Sequence, residues 1–507
     1  MIITEKNRYL VIPTKRTAEQ TRIYFYHDGK LVRDLFACID FEAPDYIAYY
    51  DMKSFMDMDI HIECESGSLE TSDHVEYGED DAIRPEFHFT AKRGWINDPN
   101  GLIFYEGKYH AFFQHNPIGA MRGTEHWGHS VSDDLIHWEE WDIALFPDEF
   151  GTMFSGCAVI DKDNLLGLNT DEHQALVLFY TASGGKRSVT AEGMPYVQCM
   201  AVSTDGGRTF QKYEKNPIIG PHREESRDPM VVYDEQNKMF VMVFYLEACD
   251  FAFYKSYNLT DWTHLCDFTL EGDQVCPDLY PLRDGDRIRW VFSAGRNFYV
   301  TADMDSEKGL VNVSEIKRFG YGPMYAAQSF KIDGKVLRIT WIRTMLAPIV
   351  KWDNTDIIPT RKHSQLWSTP VEIGICDGTL LVKPHFEFKK QYKAENVRAN
   401  ARIELPKKPL DLYIKPSADT EKLSFELFGN TVEIDGKVLK FTTYYGENYE
   451  MPYEGEIRIL ADTFGYDIFS SDKCYAAYCA VSDFEKNYLK ITGEGTLEVL
   501  EWGTFDA

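Results

Sequence analysis

The sequence predicts an all-β protein, and three observations carry that expectation. Strand-favouring residues fall in short runs broken by two-residue turns, a polar turn followed by an aromatic recurs through the middle of the chain, and no amphipathic helical stretch of convincing length is present. Gly101 to Gln114, rich in Phe, Tyr and Ile and broken by Glu106-Gly107, reads as a hairpin. Asp-Gly pairs at Asp28-Gly29, Asp284-Gly285, Asp333-Gly334 and Asp435-Gly436 each have β-favouring residues on at least one side. Such turns need φ > 0, which glycine supplies without steric cost.

The repeat is weak but ordered. Ser132-Asp133 leads to Trp138, Ser203 and Asp205 lead to Phe210, and Ser256 and Asn258 lead to Trp262. The aromatics stand 72 and 52 residues apart, a spacing that suits propeller blades of about four strands with variable loops. Unrelated surface turns would look alike, so the propeller is an expectation. Residues 65–84 are acidic, polar and poor in aliphatics, and read as a linker after a small β module at 1–80. A second break, rich in Lys and Asn and with little strand pattern, is expected around Lys389 to Pro409. Beyond it, alternating runs at Leu423, Ile457 and Leu497 suit a β-sandwich. The resulting division is a module at 1–80, a propeller at 84–388 and a sandwich at 395–507.

Composition bounds the partners. The 507 residues carry 53 Lys and Arg against 81 Asp and Glu, a net charge of −28. Such a surface repels nucleic acid and anionic membranes. Met239 to Leu246, the longest apolar run near the middle, is far short of the ~20 residues that span a bilayer. With no signal-like N-terminus and ten scattered cysteines lacking a CxxC pair, the expectation is a cytoplasmic protein with reduced thiols. Asn258-Leu-Thr260 and Asn312-Val-Ser314 then read as chance matches to a glycosylation pattern.

Three clusters could carry chemistry. In Gly94-Trp-Ile-Asn-Asp-Pro-Asn-Gly101, Pro99 biases Asp98 away from helix and Gly101 permits a sharp turn, so a carboxylate held by Asn97 could act as a nucleophile; an Asx-turn is the plainer alternative. Arg227-Asp228-Pro229 places an ion pair beside a rigid residue. In Val275-Cys276-Pro277-Asp278 the cysteine has no basic partner in sequence and reads as packing. His126 and His129 lie in a strand-like context that does not suit zinc ligation, and no metal is expected.

Taken together, these clusters resemble glycoside hydrolase family 32, the β-fructofuranosidases. The resemblance begins at Arg84-Pro-Glu-Phe-His-Phe and Trp95-Ile-Asn-Asp-Pro-Asn-Gly. It continues through Phe113-Gln-His-Asn-Pro, His126-Trp-Gly-His-Ser-Val-Ser, Gly151-Thr-Met-Phe-Ser-Gly, Arg227-Asp-Pro, Cys276-Pro-Asp-Leu and Tyr325-Ala-Ala-Gln-Ser-Phe. It covers at least residues 84–345, and Glu456 to Phe469 is similar to the family's C-terminal sandwich. It implies a five-bladed propeller joined to a sandwich, with a small fructoside bound at the propeller axis and no cofactor. By position, Asp98 matches the family's nucleophile and Asp228 its transition-state-stabilising carboxylate. Trp95, Asn97, Gln114, Trp127, Phe154, Ser155 and Arg227 match positions that line the fructose pocket. The N-terminal 80 residues resemble an accessory module of some bacterial members and are a candidate contact for a homo-oligomer.

One departure stands out. The family's acid/base motif is Glu-Cys-Pro-Asp, and this chain has Val275 in the Glu position. Retaining glycosidases need two carboxyls about 5–5.5 Å apart, and valine transfers no proton. A rescue by Asp273, with Glu271 beside it, would need a bulge, because two residues along a strand is roughly 7 Å. A silent fructoside-binding protein and an introduced change are the other accounts. Gly320 stands where Asp is common before Tyr-Gly, and residues 344–370 depart from the pattern expected of the last blade; both put pocket contacts in question.

Overall fold

The computed structural model describes residues 1–78, 84–343, 362–444 and 446–505. Among these, helix is confined to three 3-10 turns, at Glu5–Asn7, Lys53–Phe55 and Gly184–Lys186. Each expected Asp-Gly turn joins two strands: Gln20–His27 to Lys30–Cys38, Asp278–Asp284 to Arg287–Ser293, Met324–Ile332 to Lys335–Ile342, and Asn430–Asp435 to Val438–Thr442. Glu106-Gly107 does the same between Gly94–Tyr105 and Lys108–Asn116, with φ of 49° and 82°. That left-handed pair matches the right-handed twist of a two-residue hairpin.

The N-terminal module is two three-stranded sheets. Its strand Tyr9–Thr14 alternates half-buried and buried residues, as a sheet with one wet face does. The acidic 65–84 stretch is not wholly a linker: Glu70–Ser72 pairs with Tyr9–Val11 and completes one of these sheets. Residues 79–83 lie outside the described set.

The middle of the chain forms five consecutive antiparallel sheets. Their first strands are Gly94–Tyr105, Met153–Ile160, Arg227–Asp234, Asp278–Asp284 and Met324–Ile332. Each packs on the next, and the fifth packs back on the first, so the sheets close a ring around an axis. Stacking explains the burial: Leu176–Ala182, Val197–Ser203 and Met239–Tyr245 are buried at every position, because both faces of a blade are covered by its neighbours. The Ser-to-aromatic repeat marks the turn between third and fourth strands of the first three blades. Ser132 Oγ accepts from Leu135 N at 2.8 Å and Ser256 Oγ from Leu259 N at 3.0 Å, while the Trp138 and Trp262 indoles donate to the carbonyls of those same leucines. In the second blade Ser203 Oγ accepts from Gly207 N. Closure of the ring is reinforced by His363–Ser364, which pairs in parallel with Gly94–Trp95.

Behind the ring, a seven-stranded and a six-stranded sheet form the C-terminal sandwich. The break expected at Lys389 to Pro409 instead holds strands Tyr392–Arg398 and Arg402–Glu404. The first is the edge of the larger sheet, and its exposed Lys and Glu positions, which protect an edge from pairing, hide the strand pattern. Gly320–Tyr321 also belongs to this sheet, pairing in parallel with Tyr475–Ala476. Ring and sandwich are pinned by His88, whose Nδ1 lies 2.9 Å from Asp462 Oδ2 and Nε2 3.3 Å from Asp467 Oδ2, all fully buried. Burial alone would lower the His88 pKa, but Asp467 and Asp462 raise it to about 9.

Candidate active site

All five first strands deliver residues to one end of the ring, their N-terminal end. Asp98 is the fifth residue of its strand, Phe154 and Ser155 the second and third of theirs, Arg227 and Asp228 the first two, and Tyr325 the second; Cys276 lies two residues before Asp278. A ring of like strands thus converges side chains from distant parts of the sequence.

Asp98 is held from three sides. Ser155 Oγ donates to its Oδ2 at 2.7 Å, Asn97 Nδ2 to its Oδ1 at 3.1 Å, and the Cys276 thiol to Oδ2 at 3.4 Å. Asn97 is itself fixed by the Trp95 indole, which donates to its side-chain oxygen at 2.9 Å, and its carbonyl accepts from the Trp367 indole at 2.6 Å. Asp228 has φ +64°, which turns its amide to donate to Thr181 Oγ1 at 2.9 Å. Its Oδ2 accepts from the backbone N of Cys276 at 3.2 Å and lies 3.5 Å from that residue's thiol and 3.7 Å from Arg227 Nε. Burial pushes the Asp228 pKa up to about 6; Arg227 opposes the rise and the charge of Asp98 adds to it.

Cys276 therefore stands between the two carboxylates, which the sequence reading of a packing residue did not foresee. Burial and both acids hold its thiol protonated, well above the usual range, so it acts as a donor and not as a nucleophile. Val275 and Cys276 both have left-handed φ, 49° and 44°. For a β-branched residue that is a strained conformation costing about 1–3 kcal/mol, and it is what aims the Cys276 amide at Asp228.

The Val275 side chain is buried in the apolar cluster shared by the second, third and fourth blades. Asp273 does not face the pair of acids. Its Oδ1 accepts from the amides of Gln274 at 2.8 Å and Arg296 at 2.7 Å, and its Oδ2 from Phe298 at 2.9 Å. The carboxyl that the sequence offered as a surrogate acid is engaged in tying the 273–276 segment to the 294–298 loop. Glu271 is exposed.

Of the other expected pocket residues, Phe154 lies tilted against Tyr196 with centroids 5.6 Å apart, and Arg187 lies 5.7 Å from its ring. Arg227 donates to Glu225 and covers Tyr245 at 4.6 Å. Trp95, Trp127 and Gln114 are sealed behind the first layer. The Trp127 indole donates to the Phe154 carbonyl at 2.9 Å, and Gln114 faces the Asn100 amide; in this conformation they brace the pocket without lining it. His126 and His129 are buried and neutral, bonded to Thr124 and His110 respectively.

Sequence reasoning missed Tyr325, Trp367 and Thr181. Tyr325 lies against Gly295, where an added Cβ would fall 3.1 Å from its Cζ, and Gly295 N donates to the Val275 carbonyl at 3.0 Å. Gly320 leaves space that an Asp would not find: a Cβ there would sit 2.8 Å from Asn297 and Met324 atoms. Of the divergent 344–370 segment, residues 344–361 lie outside the described residues.

Comparison with known proteins places this arrangement. The model described as the glycosyl hydrolases family 32 N-terminal domain matches residues 88–384. The levanase of Bacillus subtilis is 37% identical over 335 residues, covering 61% of this chain and 47% of its own length. The invertase of Schizosaccharomyces pombe is 40% identical over 223 residues, 41% of this chain and 37% of its own. The chain thus spans less than half the length of these curated relatives. Among solved structures, exo-inulinase from Aspergillus awamori superposes with a TM-score of 0.73 at 23% identity over 85% of this chain and all of that one. The β-fructofuranosidase of Schwanniomyces occidentalis, solved with fructosyl-erythritol, gives 0.72 at 22% identity, over 85% of this chain and 99% of that one. These likenesses support the all-β propeller-and-sandwich fold.

Proposed function

We propose, from the premise that this chain belongs to glycoside hydrolase family 32, that it acts on β-fructofuranosides such as sucrose or short fructo-oligosaccharides by a retaining mechanism impaired at proton transfer. The observation that carries this reading is the single cluster of Asp98, Ser155, Asp228 and Cys276 at the ring's axis. Asp98 attacks the anomeric carbon, and the bond to the departing oxygen breaks. Ser155 and Asn97 orient the attacking carboxylate. Asp228, oriented by the Cys276 amide and Arg227, offsets the positive charge that develops on the ring. Water then releases fructose from Asp98.

Val275 leaves the departing alkoxide to take its proton from water. Losing a general acid costs about 10²–10⁴ in rate, so natural fructosides suffer most and activated aryl fructosides least. The decisive experiment pairs two variants. Asp98→Asn should abolish turnover of an aryl β-fructoside; retained turnover would refute the mechanism. Val275→Glu should raise sucrose or inulin hydrolysis by at least ~100-fold if the remaining machinery is competent.

A second reading is favoured by one observation: Val275 is buried among apolar neighbours and the Asp273 carboxylate is taken up by three backbone amides, so neither supplies the missing acid. The chain would then bind fructosides without turning them over. Calorimetry with sucrose and kestose, followed by product analysis after long incubation, separates the readings.

A further inference from the structure

We propose that His222, His264 and Asp267 form a binding site for a divalent transition-metal ion of the zinc type on the outer edge of the third blade, away from the acids at the axis. The three ligand atoms lie within 4.8 Å of one another. His264 Nε2 is 2.9 Å from Asp267 Oδ1, and His222 Nε2 is 3.8 Å from the same oxygen, with the two imidazole centroids 5.2 Å apart. Zinc bound at about 2.0–2.2 Å from each ligand needs them roughly 3.3–3.5 Å apart, so a small opening of the His264–Asp267 contact and closure of the half-buried His222 complete a site of two histidines and a carboxylate, with a further position open to water.

Two features separate this cluster from a chance meeting of surface residues. The first is in the backbone. His264 and Asp267 are three apart on the strand Thr263–Thr269, and strict alternation would send them to opposite faces. The ladder with Asp250–Ser256 slips here: Tyr254 faces His264 while Phe253 faces Cys266, leaving Leu265 as the extra residue of a bulge. The bulge re-aims His264 to the face of Asp267.

The second is the surrounding hydrogen bonding. His222 Nδ1 is 2.7 Å from the hydroxyl of Tyr254, so with Nδ1 as donor its Nε2 is presented to the ion. Asp267 Oδ2 accepts from Arg223 Nη2 at 3.1 Å, leaving Oδ1 for the metal. Arg223 is in turn balanced by Asp250 at 2.9 Å and Glu247 at 3.1 Å. One cation against three carboxylates leaves the surface negative where a dication would sit. The site ties the segment that precedes Arg227-Asp228 to the blade's outer strands. The sequence hid it because His222 and His264 are 42 residues apart and the bulge leaves no recognisable ligand spacing.

The test uses the full chain after chelator treatment. Calorimetric titration with ZnCl2 should find about one ion per chain, and Co2+ should show the visible absorption of a low-coordinate nitrogen and oxygen site. His222→Ala and His264→Ala should each weaken binding at least ~10-fold, and Tyr254→Phe should weaken it by up to ~10-fold while leaving the melting temperature of the metal-free protein unchanged. His264 is partly exposed, so its replacement leaves the core intact. Wild-type protein that binds no Zn2+, or binding that persists undiminished in both histidine variants and so belongs to one of the ten free cysteines or another histidine, would overturn the proposal.

Discussion

Asp98 and Asp228 come from blades 130 residues apart, yet one thiol touches both: Cys276 Sγ lies 3.4 Å from the first carboxylate and 3.5 Å from the second. Because both acids suppress thiolate formation, Cys276 should resist alkylation. Peptide mapping after iodoacetamide at pH 8 should find exposed Cys376 labelled well before Cys276. Cys276→Ala should lower turnover or fructoside affinity by about 10-fold, the loss of one or two hydrogen bonds; labelling of Cys276 ahead of Cys376 would show that its proton is not held.

The raised pKa of Asp228 has a sign that can be checked. Its folded value, about 6, lies above its ordinary 3.8, so the stability it contributes is full below about pH 4 and is lost as pH rises through 6. Asp228→Asn should therefore stabilise the fold above pH 7, by up to about 3 kcal/mol, with the gain vanishing near pH 4. Fructoside turnover should fall below pH 6 as the carboxylate protonates. Denaturant midpoints and a pH–rate profile measure the two effects, and a gain unchanged between pH 4 and 8 would contradict the assignment.

Asp273 gives a kinetic discriminator. If it tethers the loop, Asp273→Ala leaves three amides unpaired, destabilises by about 2–4 kcal/mol, and depresses aryl and natural fructosides alike. A proton donor would behave differently, hurting sucrose far more than the aryl substrate. Parallel kcat/KM values for both substrates distinguish the roles.

The buried imidazolium of His88 couples ring to sandwich. With its pKa raised from 6.5 to about 9, it contributes stability in full below about pH 6.5 that is lost as pH climbs through 9. The loss should approach roughly 3 kcal/mol, and His88→Ala should remove most of this alkaline sensitivity. Urea melts at pH 6.5, 8 and 9.5 would show it.

Much of this was legible from residues alone, for physical reasons. Two-residue glycine turns declare themselves because few residues tolerate their dihedrals, so the hairpins at Glu106-Gly107 and the Asp-Gly pairs could be read directly. The Ser-to-Trp turns were legible because a hydroxyl and an indole close the same local loop in successive blades. Tyr392–Arg398 was not, since a charged edge strand lacks alternation. Nor could spacing reveal that Cys276 bridges two acids, or that Asp273 turns towards Arg296 and Phe298: those depend on which residues the ring brings together and on left-handed backbone that valine rarely adopts.

The parallel pairing of His363–Ser364 with Gly94–Trp95, and the indole of Trp367 on the Asn97 carbonyl, have a consequence for biosynthesis. The strand bearing Asp98 emerges from the ribosome early, but its last neighbour is made some 270 residues later. A nascent chain that has not reached residue 363 already carries Asp98 and Asp228 but lacks both of these contacts to the strand that bears Asp98.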